Sequence, residues 1–433
     1  MLAGLYRRLS LIGVVLSFIV LFTAACGSQN STPTQGTSSP SPSASAGASS
    51  PSPSAASPSP SASASSPSPS PTQAAASPSA SPTAAASPSA SPAASPTPEM
   101  MPTPTESSGS GGVSGNVSLT GAGSTFVAPF FSNAFQEYSK QHPNIKVNYQ
   151  AIGSGGGIEQ FTAQTVDFAA SDVPMNEDEL AAAKQANGEV VEFPVALGAI
   201  AIAYNVPGVD KGLKLTQDAL AGIFLGKITK WNDPEIAKAN PGVKLPDRDI
   251  VVVHRSDSSG STYIFTDYLS HISKEWKDGP GTSKEVDWPV GLGAQGNSGV
   301  ASQIRNTPGS IGYVELAYVL ESKMDYAYLQ NKAGKFVEPT LAAATAAAGQ
   351  FPKVSPENFS IVNAPGAKSY PIAGYTWAIV WKQYSDSNKA GAIKELMNWI
   401  VTDAQESVAK KLNYAPLPQS AQQLAQQNLG QVK

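Results

Sequence analysis

The sequence predicts a two-lobed α/β fold for residues 117–433, and three observations lead to it. Helical patterns alternate with short runs of apolar and β-branched residues, as they do in layered α/β proteins. Two strand-like runs, at 191–205 and 370–382, are much longer than the others. The segment is also longer than a single hydrophobic core usually is, which favours two lobes.

Each element in this alternation has its own signal. FVAPFFSNAFQEYSKQHP predicts an amphipathic helix with Phe131, Phe135 and Tyr138 near one face, and Thr216 is a suitable N-cap for the helix in LTQDALAGIFLG. Such alternation predicts a mostly parallel sheet. Shorter strands are predicted at 146–153, 166–172, 249–255 and 309–319, and further helices at 156–166, 261–272 and 390–412.

The composition argues against several classes of protein. A formal net charge of −4 does not suit a broad nucleic-acid surface, because such surfaces are usually strongly basic. One cysteine permits no intrachain disulfide bond. The three histidines, His142, His254 and His271, are too few for a Cys/His metal cluster, so neither a metal nor a cofactor is expected.

Residues 1–25 have the pattern of a secretion signal. Arg7 and Arg8 precede the apolar run LSLIGVVLSFIVLF, and small residues then lead to Cys26. This resembles a bacterial lipoprotein signal, which is cleaved before a cysteine that carries lipid, although Thr23 stands where leucine is usual. An uncleaved membrane anchor is the alternative, but the run is shorter than the ~20 residues of a spanning helix. Either way, the remainder is expected outside the cytoplasm, anchored to the cell membrane.

Residues 26–116 are expected to form a disordered linker that follows the lipidated cysteine. They consist mainly of Ser, Pro, Ala and Thr, so they cannot bury enough surface to fold. Proline biases such a chain towards extended polyproline II. The linker is therefore expected to hold the folded part away from the membrane.

Small polar residues gather in four loops that follow predicted strands. These loops are GAGSTF (121–126), GSGGG (153–157), the pair Ser171 and Asp172, and HRSDSSGST (254–262). Ser124 or Thr125 is placed to cap the first helix, and Ser154 stands where an N-cap is expected. Ligands bind at the carboxyl ends of strands in open α/β sheets, which makes these loops candidates for one site.

The fourth loop has the chemistry of an anion site. A helix N-terminus presents free N–H groups and a partial positive charge, and Ser259, Gly260 and Ser261 stand at the start of a predicted helix. Arg255 adds a planar fork that suits a tetrahedral oxyanion, and Asp257 is placed to orient it. Simple helix capping is the structural alternative for each of the four loops taken alone, and a solvated ion pair is the alternative for Arg255 and Asp257.

Six segments together closely resemble the periplasmic phosphate-binding proteins of bacterial high-affinity phosphate ABC transporters. This resemblance implies a type II periplasmic binding-protein fold that closes like a hinge over one phosphate. Two crossing strands then divide the chain into lobe one, 117–195 and 371–433, and lobe two, 196–370. The segments are GAGSTFVAPFF, YQAIGSGGGIEQFTAQTVDFAASD, FLGKITKWNDPEIAKANPG, LPDRDIVVVHRSDSSGST, GLGAQGNSGVASQI and PGSIGYVELAY.

The resemblance also implies a set of ligand contacts, in which Phe126 acts through its backbone N–H and Asp257 supports Arg255. This sequence departs from the family at His254, where arginine is frequent, at Ser258, where glycine is usual, and at Gly155, which replaces a second serine. Ser261 keeps the hydroxyl of the family's threonine. The implied phosphate contacts are Thr125, Phe126, Ser154, Asp172, Arg255, Ser259, Gly260 and Ser261.

Asp172 suggests how phosphate is told from sulfate. A carboxylate beside an anion is reasonable when the anion carries a proton, because an ionised Asp only accepts hydrogen bonds. Phosphate keeps an O–H at neutral pH and sulfate does not, so sulfate would leave a buried charge unpaired, and such discrimination can reach ~10⁴-fold. The alternative role for Asp172 is an N-cap of the helix in VPMNEDEL.

Other functions are weaker candidates. Ser259, His254 and Asp257 are the residue types of a hydrolase triad, but the sequence has no G-x-S-x-G elbow and no G-x-x-x-x-G-K-[ST] loop, so no enzyme activity is expected. An adhesin on a stalk and a receptor for another oxyanion are the remaining alternatives. The expected partners are inorganic phosphate, the transmembrane permease subunits of a phosphate ABC transporter and, through the lipid, the membrane; a monomer that binds no nucleic acid is expected.

Overall fold

The computed structural model describes Val113 and residues 115–433. The predicted signal peptide (1–25), the lipidation site Cys26 and nearly all of the linker (26–116) therefore lie outside the described residues. Within the described part of the chain, no helix is both long enough and apolar enough to cross a membrane.

The described residues form twelve strands, thirteen α-helices and one short 3₁₀ helix. The strands are β1 (Val117–Gly123), β2 (Ile145–Ala151), β3 (Phe168–Ser171), β4 (Val190–Asn205), β5 (Lys214–Leu215), β6 (Val251–Arg255), β7 (Leu292–Ala294), β8 (Ser310–Glu315), β9 (Asp325–Tyr326), β10 (Tyr328–Gln330), β11 (Phe336–Val337) and β12 (Ala373–Trp381). The helices are α1 (Ala128–Gln141), α2 (Ser154–Thr162), α3 (Glu177–Asn187), α4 (Gln217–Phe224), α5 (Pro234–Ala239), α6 (Gly260–Ile272), α7 (Lys274–Asp278), α8 (Gly296–Asn306), α9 (Leu316–Glu321), α10 (Leu341–Ala348), α11 (Ser387–Val401), α12 (Asp403–Ser407) and α13 (Gln419–Leu429), with the 3₁₀ helix at Ala409–Leu412.

The main sheet has the order β2-β1-β3-β12-β4-β8-β6-β7, with β9 also paired to β4. The strand β4 belongs to two halves of this sheet. Its residues 190–199 pair with β12, and its residues 200–205 pair with β8. We call β2, β1, β3, β12 and residues 190–199 the first half of the sheet, and residues 200–205, β8, β6 and β7 the second half.

The expectation of a mostly parallel sheet is only partly right. The outer strands are parallel, since β1 runs parallel to β2 and β3, and β6 runs parallel to β7 and β8. The two long strands break this pattern, because β12 is antiparallel to β3 and β4, and β4 is antiparallel to β8. The chain crosses the sheet along β4 and returns along β12, and neighbouring strands that carry a chain out and back must run in opposite directions.

The helix predictions hold for α1 and for α4, which Thr216 caps. In α1, Phe131, Phe135 and Tyr138 are all buried, as the amphipathic pattern predicts. Proline stands in the first turn of α1, where its missing N–H costs no helical hydrogen bond. Thr216 caps α4, since its hydroxyl accepts a hydrogen bond from the backbone N–H of Ala219 at 3.1 Å.

Two elements in the structure end at other residues than the sequence predicts. The segment 309–319 is not strand throughout, because the carboxylate of Glu315 accepts from the backbone N–H of Ala317 at 2.8 Å and so caps α9. The segment 390–412 is not one helix, because Thr402 leaves the helical region and α12 begins after it. Both breaks come from local capping geometry that the apolar periodicity does not reveal.

Candidate functional site

The four polar loops converge at the carboxyl ends of four strands. Three of them follow β1, β2 and β3 in the first half of the sheet, and the fourth follows β6 in the second half. The structure thus brings together all eight residues for which a ligand contact is expected. Six of their side chains are buried polar or charged groups: Thr125, Ser154, Asp172, Arg255, Ser259 and Ser261.

Asp172 lies where the loops of the two halves meet. Its Oδ1 accepts hydrogen bonds from the hydroxyls of Ser124 and, at 2.9 Å, Thr376. Its Oδ2 accepts from the hydroxyl of Ser261 at 3.1 Å. Its backbone N–H donates to Ser154 Oγ at 3.2 Å. The residue does not cap α3, because Asn176 does so within a capping box.

Burial raises the pKa of Asp172, because the carboxylate loses its hydration. The hydroxyls of Ser124, Thr376 and Ser261 lower this pKa, and so, to a smaller extent, does the positive charge of Arg255. An ionised carboxylate buried at this position therefore depends on these donors. The predicted role of Asp172 as a hydrogen-bond acceptor requires that they be in place.

Arg255 and Asp257 form a two-pronged ion pair. Arg255 Nε donates to Asp257 Oδ1 at 2.7 Å, and Nη2 donates to Oδ2. The side chain of Arg255 is 1% exposed, so this pair is far better shielded than a surface ion pair. Although burial opposes it, the bond to Arg255 lowers the pKa of Asp257. Asp257 also accepts from the backbone N–H of Gly296 at 2.9 Å, which fixes the orientation of the guanidinium group.

Two helices begin at the site, although not every cap is the one predicted. Ser259 is the N-cap of α6, and its Oγ accepts from the backbone N–H of Thr262 at 3.1 Å. Ser154 is not a cap but the first residue of α2, and Gly153 holds the N-cap position with a φ of 98°. The N–H groups of the first turns of α2 and α6 therefore start within the same set of loops, where an anion is favoured.

Gly260 allows the two halves of the sheet to approach each other. A Cβ at this position would lie 2.7 Å from Asp172 Cβ, from the Asp172 backbone nitrogen and from Ser154 Oγ. The N-terminus of α6 can come this close to the loops of the first half only because residue 260 has no side chain.

The first loop is held in place by hydrogen bonds to its backbone carbonyl groups. Tyrosine hydroxyls donate to the backbone oxygens of Ser124, Thr125 and Phe126 at 2.9, 2.7 and 2.6 Å. The donors are Tyr149, Tyr318 and Tyr414. Neither Ser124 nor Thr125 caps α1, because Val127 holds that position without a side-chain cap. The backbone N–H of Phe126 donates to Ser124 Oγ at 3.0 Å.

Asn297, which the sequence left without a role, organises Thr125. This fully buried amide stands in α8, and both its backbone N–H and its Nδ2 donate to Thr125 Oγ1, at 3.1 and 3.0 Å. With its oxygen occupied as an acceptor, the Thr125 hydroxyl has its own hydrogen left to donate. The quoted motif GLGAQGNSGVASQI contained this signal, but the pairing with position 125 joins residues 172 positions apart.

Positions 155 and 258, at both of which this sequence departs from the family, are in direct contact. A Cβ at Gly155 would lie 2.3 Å from Ser258 Oγ and 2.4 Å from Ser258 Cβ, so Ser258 fills the space that a serine at 155 would need. The backbone N–H of Gly155 also donates to Ser258 O at 3.1 Å. The third departure, His254, stacks on Trp288 with ring centroids 4.8 Å apart. None of the three displaces a predicted contact.

The candidate hydrolase triad is not assembled. His254 Nδ1 lies 3.0 Å from the backbone oxygen of Arg255, while Asp257 bonds to the guanidinium group and Ser259 caps its helix. No group of three or more Cys, His, Asp or Glu residues among those the structure describes is arranged to hold a metal ion. The site presents hydrogen-bond donors around the buried carboxylate of Asp172, which suits binding of a protonated oxyanion.

Comparisons with known proteins agree with this geometry. A family model described as a PBP superfamily domain matches residues 72–404. The phosphate-binding protein PstS of Xylella fastidiosa (strain 9a5c) is 43% identical over 306 residues, which cover 70% of this chain and 82% of that protein. The PstS of Pasteurella multocida (strain Pm70) is 42% identical over 311 residues, which cover 71% of this chain and 88% of that protein.

A solved structure confirms the fold class. A phosphate-binding protein from Stenotrophomonas maltophilia matches with a TM-score of 0.56 at 19% identity, over 72% of this chain and 93% of that one. The predicted type II periplasmic binding-protein fold, of mixed α/β class, is therefore right. With this fold, a superfamily match over most of its length and relatives at 42–43% identity, the chain belongs to the PBP superfamily and, within it, to the family of PstS phosphate-binding proteins.

Proposed function

We propose that this protein captures inorganic phosphate outside the cytoplasm and delivers it to an ABC importer. The observation that carries the proposal is one buried carboxylate, Asp172, set among hydrogen-bond donors from both halves of the sheet. Such a set suits a tetrahedral anion that still carries a proton. The protein acts by binding and not as an enzyme.

The proposed contacts to phosphate come from four groups of donors. Arg255 supplies a charged donor that Asp257 orients. The hydroxyls of Ser154 and Ser259 each accept a backbone N–H, at 3.2 and 3.1 Å, which leaves their own hydrogens for the anion. Thr125 is arranged in the same way by Asn297. Backbone N–H groups complete the set at Gly260, at Ser261, whose hydroxyl would also turn from Asp172 to the anion, and at Phe126, whose N–H the anion would share with Ser124 Oγ.

Closure of two lobes would bury the anion. We place lobe one at 117–195 and 371–433 and lobe two at 196–370, with β4 and β12 as the hinge strands. Long strands that continue from one lobe into the other are positions where hinge motion is common in binding proteins. The cleft would then lie between Asp172 of lobe one and α6 of lobe two.

The proposed location and partners follow from the family and from the N-terminal sequence. The lipoprotein-like signal and Cys26 support a lipid anchor in the cell membrane, with residues 26–116 as a tether. The partners would be the transmembrane permease subunits of a phosphate ABC transporter. The protein would act as a monomer.

Calorimetric titration tests the proposal. The protein should bind one phosphate per chain, bind arsenate in competition, because arsenate is also a protonated tetrahedral anion, and be barely affected by millimolar sulfate. Sulfate that displaces phosphate at comparable concentration would overturn the role of Asp172. Absence of phosphate binding altogether would overturn the proposed function.

A further inference from the structure

The two carboxylate oxygens of Asp172 have different surroundings. Among the described residues, Oδ1 accepts from two hydroxyls, those of Ser124 and Thr376. Oδ2 accepts from Ser261 at 3.1 Å, and Ser261 is itself one of the proposed phosphate contacts. When Ser261 turns to the anion, Oδ2 is the oxygen left to receive a proton from phosphate.

Ser124 is committed to Asp172 by its own hydrogen bonds. An ionised carboxylate oxygen only accepts, so the single hydrogen of Ser124 is directed to Asp172 Oδ1, while the Ser124 oxygen accepts the backbone N–H of Phe126 at 3.0 Å. The loop that carries Ser124 is fixed by the tyrosine hydroxyls on its carbonyls. The donor therefore cannot move away without disrupting that loop.

Thr376 reaches the same oxygen from another element. It stands in β12, which pairs with β3 directly before Asp172, and its side chain is fully buried. Its Oγ1 donates to Asp172 Oδ1 at 2.9 Å. Two donors from separate elements hold one oxygen, which fixes both the rotation and the acceptor character of the carboxylate.

We propose that Ser124 and Thr376 are positioning residues that set the anion selectivity of this site by holding Asp172 as a charged acceptor with Oδ2 facing the ligand. The inference rests on the proposed function and deepens it. Neither residue needs to touch phosphate. Without their hydroxyls, the buried carboxylate takes up a proton more readily, becomes a donor, and then tolerates a fully deprotonated anion such as sulfate.

The test uses hydroxyl deletion at both positions in the full-length protein. We expect Thr376→Val to lower the ratio of the sulfate to the phosphate dissociation constant by about tenfold. The double variant, Ser124→Ala with Thr376→Val, should lower this ratio by about a hundredfold. The narrowing should be greater near pH 6 than near pH 8, because an acidic medium supplies the proton that Asp172 then keeps. Thr376→Ser should restore the wild-type ratio.

Thr266→Val is the matched control, because Thr266 is a buried threonine whose hydroxyl bonds to the backbone of Tyr263 and Ser283 and not to Asp172. It should leave the ratio unchanged. Equal weakening of both anions in the double variant, or failure of Thr376→Ser to restore the ratio, would overturn the inference, because a purely structural role has that effect. Wild-type protein that fails to bind phosphate, or that binds sulfate equally well, would instead overturn the proposed function.

Discussion

Gly155 and Ser258 show how single residues shape this site. The space that a side chain at 155 would fill is occupied by Ser258, whose Oγ would lie 2.3 Å from the added Cβ. We expect Gly155→Ser alone to weaken phosphate binding about tenfold or more, because contacts below 3 Å force the two loops apart. Ser258→Gly alone should have little effect, and the double variant should recover most of the affinity.

Titration calorimetry on the four proteins of this cycle measures the coupling between positions 155 and 258. If the two single effects add without recovery in the double variant, the steric explanation is wrong.

Arg255 supplies the charged donor among the proposed contacts. We expect Arg255→Ala to weaken phosphate binding by about 100-fold or more, because a charge-assisted contact is lost and Asp257 is left without its partner. Arg255→Lys should be intermediate, since it keeps the charge without the fork. Arg305→Ala, which removes an exposed arginine in α8, is the control. Unchanged affinity in Arg255→Ala would mean that the anion binds elsewhere.

The sequence predicts the four loops of the site but not the residues that hold those loops in place. Glycine and serine clusters after strands, and an arginine two residues before an aspartate, are local patterns that can be recognised. Thr376 stands inside a strand and meets Asp172 from 204 positions away, so no local pattern connects them. Asn297 was overlooked for the same reason, because its partner Thr125 is remote in sequence.

The N-terminus of α6 depends on the absence of a side chain at its first residue. We expect Gly260→Ala to reduce phosphate affinity about tenfold or more, because the new Cβ would be 2.7 Å from Asp172 and Ser154. The melting temperature should fall as well, because one of the crowded atoms is the backbone nitrogen of Asp172, which cannot turn away as a side chain can. Gly349→Ala, where the added Cβ meets Thr345 O at 3.4 Å, is the control. Full affinity in Gly260→Ala would show that this close approach is not needed.

The start of β4 carries a buried acid that makes stability depend on pH. Burial raises the pKa of Glu192 to about 7, with nearby Glu179 and Glu357 acting in the same direction and Lys284 and the Met175 N–H opposing them. A raised acid pKa stabilises the fold at low pH, and this contribution is lost as pH rises towards 7.

As the pH rises from about 5 to about 8, we therefore expect the wild type to lose about 2 kcal/mol of unfolding free energy relative to Glu192→Gln, which cannot ionise at this position. Denaturant titrations at both pH values measure this difference, and Glu321→Gln, at an exposed position, should show none. A constant difference between Glu192→Gln and wild type would contradict the assignment.

Element types were predictable, whereas strand direction and helix ends were not. The runs that became β4 and β12 are long and apolar, so their existence was clear from the sequence. Apolar runs look the same whether they pair in parallel or antiparallel fashion, and this explains the overestimate of parallel pairing. The start of α9 is set by the Glu315 cap, a contact that periodicity does not show.

Among the described residues, polar groups link the loops and helices that follow the two halves of the sheet. Lys284 forms an ion pair with Glu179, and its backbone oxygen accepts from the N–H of Ser259 at 3.0 Å. Asn297 reaches Thr125, and Ser261 reaches Asp172. Most of these contacts include a proposed ligand contact, namely Ser259, Thr125, Ser261 or Asp172, so we expect anion binding and closure to be linked.

The lobe boundaries remain a prediction, and the strand pairing of β4 indicates where one of them would lie. The partner of β4 changes from β12 to β8 between residues 199 and 200, close to the boundary predicted at 195 and 196. The composition and the family resemblance were sufficient to predict the fold class and the class of ligand. The packing that links the halves depends on contacts between remote residues and needed the structure.

We propose that the four loops together hold one phosphate, whose proton is donated to Asp172. A crystal structure of the protein with phosphate bound tests this most directly. We expect one anion at the N-termini of α2 and α6, with Arg255 donating to it. An anion oxygen should lie about 2.5–2.7 Å from Asp172 Oδ2, the spacing of an O–H···O⁻ bond. An anion bound away from these loops, or a carboxylate of Asp172 that faces away from it, would contradict the account.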